Sequence, residues 1–154
     1  MNAARNRGFT LIELVVVITI LGILAAFAVP KFIALDSQAR AATVNGLAGS
    51  VKSAAALARG LAMATGATAS VTMEGTVVNL VNNYPDSSAT GIPGAVNSNN
   101  GATGDFTYTP GAGGTALATW TKNGAPTPAN CVVNYTPPAV AGNAPIISAV
   151  TTGC

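Results

Sequence analysis

The sequence predicts an α+β fold in which one long N-terminal helix is followed by an antiparallel sheet. Two observations carry this. Helical or wholly apolar patterning fills residues 9–65 and is absent afterwards, while from about Ala69 onward short β-prone runs alternate with Gly- and Pro-rich turns. Helix first and strands in succession afterwards is the order expected of an α+β domain. A third observation concerns bracing: Cys131 and Cys154 both fall in the last quarter of the chain, an even count that reads as one disulfide formed in an oxidising compartment.

The first element opens with residues 9–29, an apolar run whose one charge is Glu13. At the helical rise such a run spans roughly 30 Å, the thickness of a bilayer's hydrocarbon core. Arg5 and Arg7 directly precede it, which places residues 1–8 on the cytoplasmic side and the body outside. A cleaved secretory signal is a rival reading, because Ala26-Phe27-Ala28 supplies a small-residue cleavage pattern. The run exceeds the usual ~7–15 residues of such signals and contains a carboxylate, so a retained segment fits better. A plain membrane anchor gives no reason for Glu13, whose ionised form near the bilayer centre costs on the order of 3 kcal/mol.

Pro30 withholds a backbone donor and crowds the preceding turn, and Gly22 is a second weak point, so a kink or local break is expected at these positions. Residues 31–65 then form an amphipathic half. Val44, Leu47, Val51, Ala54, Ala58 and Leu61 recur at alternating three- and four-residue steps, which is one helical face. Asn45, Lys52, Ser53 and Arg59 fall off that stripe, and Thr65-Gly66 supplies the stop. A single helix over 9–65 would be about 85 Å long, more than a compact domain can bury, so its front half must pack on lipid or on sister helices.

In residues 66–154, Ser70–Met73 and residues 76–80 read as strands joined by a Glu74-Gly75 hairpin turn. Residues 82–104, with Tyr84-Pro85-Asp86 and Ile92-Pro93-Gly94, form a long connection suited to surface identity. Residues 105–109, 116–121, 132–136 and 146–151 are further strand candidates. A Cys131–Cys154 bridge would close a loop holding the last two and stabilise the fold by roughly 3 kcal/mol.

Composition excludes several classes of function. Charged residues make up 8% of the chain and histidine is absent. The seven basic residues include Arg5 and Arg7, and the remaining five balance five acids, so residues 9–154 are formally neutral. A neutral body lacks the basic patch that binds phosphates, which argues against nucleic acid. Asp36, Glu74, Asp86 and Asp105 are scattered singly, with no base, nucleophile or phosphate loop beside them, so neither an enzyme nor a cofactor is expected. Asp86 and Asp105 lack the dense oxygen ligands calcium needs, and two cysteines without histidine make a poor zinc set, so no metal is expected either. Tyr108 and Trp120 read as core or sheet-face residues rather than a sugar platform.

Gly8-Phe9-Thr10-Leu11-Ile12-Glu13, followed by Leu14-Val15-Val16-Val17-Ile18, resembles the signature of type IV prepilins. That resemblance implies the type IV pilin fold, a long N-terminal helix packed on an antiparallel sheet with a disulfide-closed C-terminal region. It divides the chain into a leader peptide, residues 1–8; a transmembrane and filament-core helix, 9–30; an amphipathic half, 31–65; and a globular sheet domain, 66–154. It further implies cleavage between Gly8 and Phe9, N-methylation of Phe9, and a role for Glu13 in registering subunits. It also implies that Gly22 and Pro30 bound a stretch that loosens on assembly. The implied partners are identical pilin subunits, the prepilin peptidase and the assembly machinery. The implied location is the bacterial inner membrane before assembly and a surface filament after it, with adhesion, motility or DNA uptake as function. Pro30-Lys31-Phe32, residues 36–40, Glu74-Gly75, Tyr84-Pro85 and the final Val-Thr-Thr-Gly-Cys further resemble the mannose-sensitive haemagglutinin branch. A pseudopilin of type II secretion shares the N-terminus but commonly lacks this cysteine pair. A membrane-anchored binding module that never polymerises is the alternative of a different class.

Overall fold

The computed structural model describes residues 9–96 and 103–154. The chain divides into two compact units, Met1–Ser37 and Gln38–Cys154. Helix α1, Leu11–Thr65, contributes to both, and it is helical without interruption through Gly22 and Pro30. In the first unit its described large apolar side chains are exposed, Leu11, Ile18, Leu24 and Phe32 among them. A helix that is apolar all round and buried nowhere in its own chain is matched to a surrounding other than water.

In the second unit α1 is amphipathic. Val44, Leu47, Val51, Ala55, Ala58 and Ala62 are buried. The expected stripe differs at two places, because Ala54 and Leu61 are half-buried on its flank while Ala55 and Ala62 take the central positions. Steps of three and four must average 3.6, so the face drifts off any fixed alternation after two turns. The helix stops where glycine supplies a left-handed residue. Gly66 has φ of 68°, and the Ala67 amide donates to the Ala62 carbonyl at 3.0 Å, the six-to-one bond of a Schellman cap.

Two antiparallel sheets follow, where the sequence suggested one. The first orders β1 (Ser70–Met73), β2 (Thr76–Val81) and β3 (Tyr84–Pro85) side by side. Both of its turns have positive φ at two successive residues, Glu74 (49°) with Gly75 (82°) and Asn82 (51°) with Asn83 (67°). That is the backbone of a tight hairpin whose twist suits the strands it joins. The sequence places the Asn82-Asn83 turn and β3 at the start of a surface connection, whereas β3 pairs with β2. The second sheet is β4 (Phe106–Thr109), β5 (Ala118–Lys122), β6 (Val132–Thr136) and β7 (Ile146–Val150), paired in that order. All four strand candidates are present, with β5 beginning two residues later than expected.

The expected surface connection is pinned rather than loose in its described part. Tyr84, Pro85, Ser87, Ile92 and Val96 are buried, and residues Ile92–Ala95 make one helical turn, α2. Hydroxyls anchor it: Tyr135 donates to the Pro85 carbonyl at 2.7 Å, and Tyr108 donates to the Ser87 carbonyl at 2.9 Å. Trp120 is fully buried with the Tyr108 ring 4.7 Å from its own, so both residues serve the core as expected.

Candidate functional site

The described chain begins at Phe9, which is 87% exposed; Gly8, Arg5 and Arg7 lie outside the described residues. Thr10 caps α1, and Glu13 answers it. The Glu13 amide donates to Thr10 Oγ1 at 3.3 Å, while Glu13 Oε2 accepts from the Thr10 amide at 2.8 Å and from the Thr10 hydroxyl at 2.7 Å. The reciprocal pattern satisfies two backbone donors that a helix start leaves without partners. Its signal stood in the sequence as Thr10-Leu11-Ile12-Glu13, the spacing of a capping box. Sequence reasoning missed it, because the charge of Glu13 in an apolar run draws attention to partners outside the chain rather than to Thr10. The other carboxylate oxygen, Oε1, has no partner among the described residues, so the group can still accept from a cation. Phe9, just before α1, and Ile12, Val16 and Val17 on one face of it lie around Glu13.

Gly22 and Pro30 lie further along the same apolar helix. A Cβ added at Gly22 would meet nothing within 4 Å, so no packing inside the chain calls for glycine there. α1 has the length and apolar composition to cross a membrane.

In the second unit Cys131 and Cys154 form the expected disulfide, with their Cα atoms 4.9 Å apart and both residues buried. Three contacts hold its end in place. The Thr127 amide donates to the Gly153 carbonyl at 3.1 Å, the Gly153 amide to the Asn130 carbonyl at 2.9 Å, and Arg40 Nη1 to the Cys154 carbonyl at 2.9 Å. Gly153 has to be glycine for this: a Cβ would come within 2.5 Å of the Thr127 oxygen. Sequence reasoning missed Arg40 and Gly153, since neither is recognisable until the tail is seen against α1.

Among the described residues no group of three or more His, Cys, Asp or Glu could hold a metal ion. Asp86 Oδ1 accepts from the Ser88 amide and hydroxyl, a local turn, and Asp105 pairs with Lys122 at 3.0 Å. The two carboxylates are thus committed to loop and strand structure.

Residues 3–29 match the prokaryotic N-terminal methylation motif, a stretch that includes Gly8, Phe9, Glu13 and Gly22. Over 54 residues the chain is 56% identical to the type IV narrow pilus major component PilA5 of Thermus thermophilus, covering 35% of this chain and 47% of that protein. The N-terminal region is thus similar to those of type IV pilins. Over 36 residues the chain is also 58% identical to the type IV major pilin protein PilA of Myxococcus xanthus, covering 23% of this chain and 16% of that pilin. The chain therefore spans about half the length of the first of these pilins and less of the second. No solved structure matches it. The architecture, a long N-terminal helix followed by antiparallel sheets and a disulfide, is consistent with the pilin fold.

Proposed function

We propose that this chain is the structural subunit of a type IV pilus, made as an inner-membrane precursor and polymerised into a surface fibre for adhesion, motility or DNA uptake. The observation that carries the proposal is the match to the methylation motif over a helix whose large apolar residues are exposed from Leu11 to Val29, and again at Phe32 and Leu35. In the precursor that surface is covered by lipid, and in the filament by the same helix of other copies. Prepilin peptidase cuts between Gly8 and Phe9 and methylates the new Phe9 amine. Methylation leaves the amine cationic. Glu13 Oε1 is then the acceptor for the amine of a neighbouring copy, a pair whose members are both costly to leave unmatched in apolar surroundings. Such a pair specifies register even where it adds little net stability. Gly22, which packs on nothing in its own chain, and Pro30 are the positions at which the helix yields during assembly. The disulfide favours this reading over a type II secretion pseudopilin. The finer likeness to the mannose-sensitive haemagglutinin branch rests on the short stretches named above alone.

Shearing filaments from cells that express the chain, and sequencing their main protein, tests the proposal. The expected N-terminus is methylated Phe9. A protein that keeps residues 1–8, that is cut after Ala28, or that never enters a filament would overturn it.

A further inference from the structure

Charged side chains are few in this protein, and most of those described have partners within the chain. Glu13 bonds Thr10, Arg40 bonds Cys154, Arg59 bonds Tyr84, Asp86 bonds Ser88 and Lys122 bonds Asp105. Asp36 is partnered as well. Among the described residues Lys31, Lys52 and Glu74 are left without one.

Glu74 is the single anion of that set, and its position is unusual. It has φ of 49° at the first place of a two-residue hairpin turn, where Asn, Asp or Gly suits the backbone better than glutamate. Local structure therefore does not account for the residue. It stands beside a groove of about 360 Å³ lined by Leu57, Leu61, Thr72, Met73 and Ala95 as well as Glu74 itself. Leu57, on its rim, is 64% exposed. An apolar trough with one carboxylate calls for an occupant that is apolar and carries one cation.

α1 offers such a strip. Phe27, Lys31 and Leu35 are spaced four residues apart and so share one face, with a lysine between two large apolar side chains. All three are exposed. Lys52, the other unpartnered cation, is flanked at the same spacing by Ala48 and Ala56, which offer nothing to fill the trough. We infer that the Leu57–Glu74 groove of one copy receives the Phe27-Lys31-Leu35 strip of a second copy, with the Lys31 ammonium paired to the Glu74 carboxylate. This contact rests on the pilus-subunit reading above and gives it a second register mark, whose charged pair lies outside the methylation motif. A lipid surface would accept Leu57 but would leave Glu74 uncompensated.

Treating sheared filaments with a carbodiimide, which joins an amine to a carboxylate with no spacer, is expected to give a Lys31–Glu74 amide. In filaments mixed from heavy- and light-isotope copies, the amide should join one to the other. Glu74→Lys and Lys31→Glu should each cut filament yield roughly tenfold through like-charge contact, and the double exchange should recover most of it. Both residues are exposed and unpartnered, so melting of the detergent-solubilised single variants, followed by Trp120 fluorescence, should match the unaltered chain. Single variants that assemble normally, a double variant as defective as the singles, or an amide confined to one copy would each overturn the pairing. Absence of filaments from the unaltered chain would overturn the subunit reading itself and this contact with it, so the two failures are distinguishable.

Discussion

The Arg40 guanidinium donates to the Cys154 carbonyl oxygen at 2.9 Å, joining positions 114 residues apart. The bond fixes the disulfide-bearing tail to the helix on which the rest of the domain is built. Its donor is charged and half-buried, and hydrogen bonds of that kind are worth more than neutral ones. Arg40→Met keeps the apolar stem and removes the donor, and is expected to lower stability by about 1–2 kcal/mol. Urea unfolding of the detergent-solubilised chain measures this through Trp120, the one tryptophan and a fully buried one. An unchanged midpoint would show that the bond contributes nothing.

The disulfide and that bond act on the same tail, so their effects should not add. Replacing Cys131 and Cys154 together by Ser is expected to cost about 3 kcal/mol, because the closed loop no longer restricts the unfolded chain. Adding Arg40→Met to that double variant should then cost less than it does alone, since a released tail no longer holds the Cys154 carbonyl against α1. Additive losses in this double-mutant cycle would separate the two contacts. A double Ser variant that melts and assembles as the unaltered chain does would refute the bracing role altogether.

What the sequence made legible were the features encoded by local pattern. The apolar run of 9–29, the stripe from Val44, the Glu74-Gly75 turn and the strands β1, β4, β6 and β7 are each specified by periodicity or turn chemistry within a short window. β3 was not legible because a two-residue strand has no period, and Tyr84-Pro85 resembles a turn until it is seen paired to Leu80 and Val81. The division into two sheets depends on long-range contacts such as Tyr135 with Pro85, which no window contains. At the N-terminus, Glu13 stands out in the sequence as a charge that a plain membrane anchor does not explain. Its bonds to Thr10 were overlooked although they are local.

Glu13 caps its own helix, and the proposed function gives it a second, separable role, presenting a charge to a neighbour. Glu13→Gln distinguishes them, because glutamine at the same position can still reach back to the Thr10 amide. If charge pairing registers the subunits, both Glu13→Ala and Glu13→Gln should abolish or severely reduce filaments. Thr10→Ala, which removes the cap hydroxyl but leaves the carboxylate, should cost about 1 kcal/mol at the helix start and spare most assembly. Filament counts by electron microscopy, with immunoblots of membrane fractions to confirm that each variant is made, measure all three. Normal filaments from Glu13→Gln would leave capping as the role of Glu13 and remove the charge.

Alkaline pH should reveal the two buried phenols. Burial pushes the hydroxyls of Tyr108 and Tyr135 well above the ordinary tyrosine range; nearby Asp86 adds to it for Tyr108, and Tyr108, Asp86 and Tyr84 add to it for Tyr135. The folded state therefore keeps these protons at a pH where the unfolded chain, with ordinary phenols near pKa 10, releases them. With more protons bound when folded, the protein loses stability as pH rises. The contribution is fully present below about pH 10 and is lost progressively above it. Urea midpoints should accordingly be insensitive to these groups between pH 7 and 9 and should fall from pH 10 upward, together with the appearance of tyrosinate absorbance. Tyr135→Phe leaves the buried Pro85 carbonyl without its donor and should be less stable at pH 7 by about 1–3 kcal/mol. Having lost one of the two phenols, it should also show a shallower decline above pH 10. An equally steep decline in that variant would remove Tyr135 as a cause.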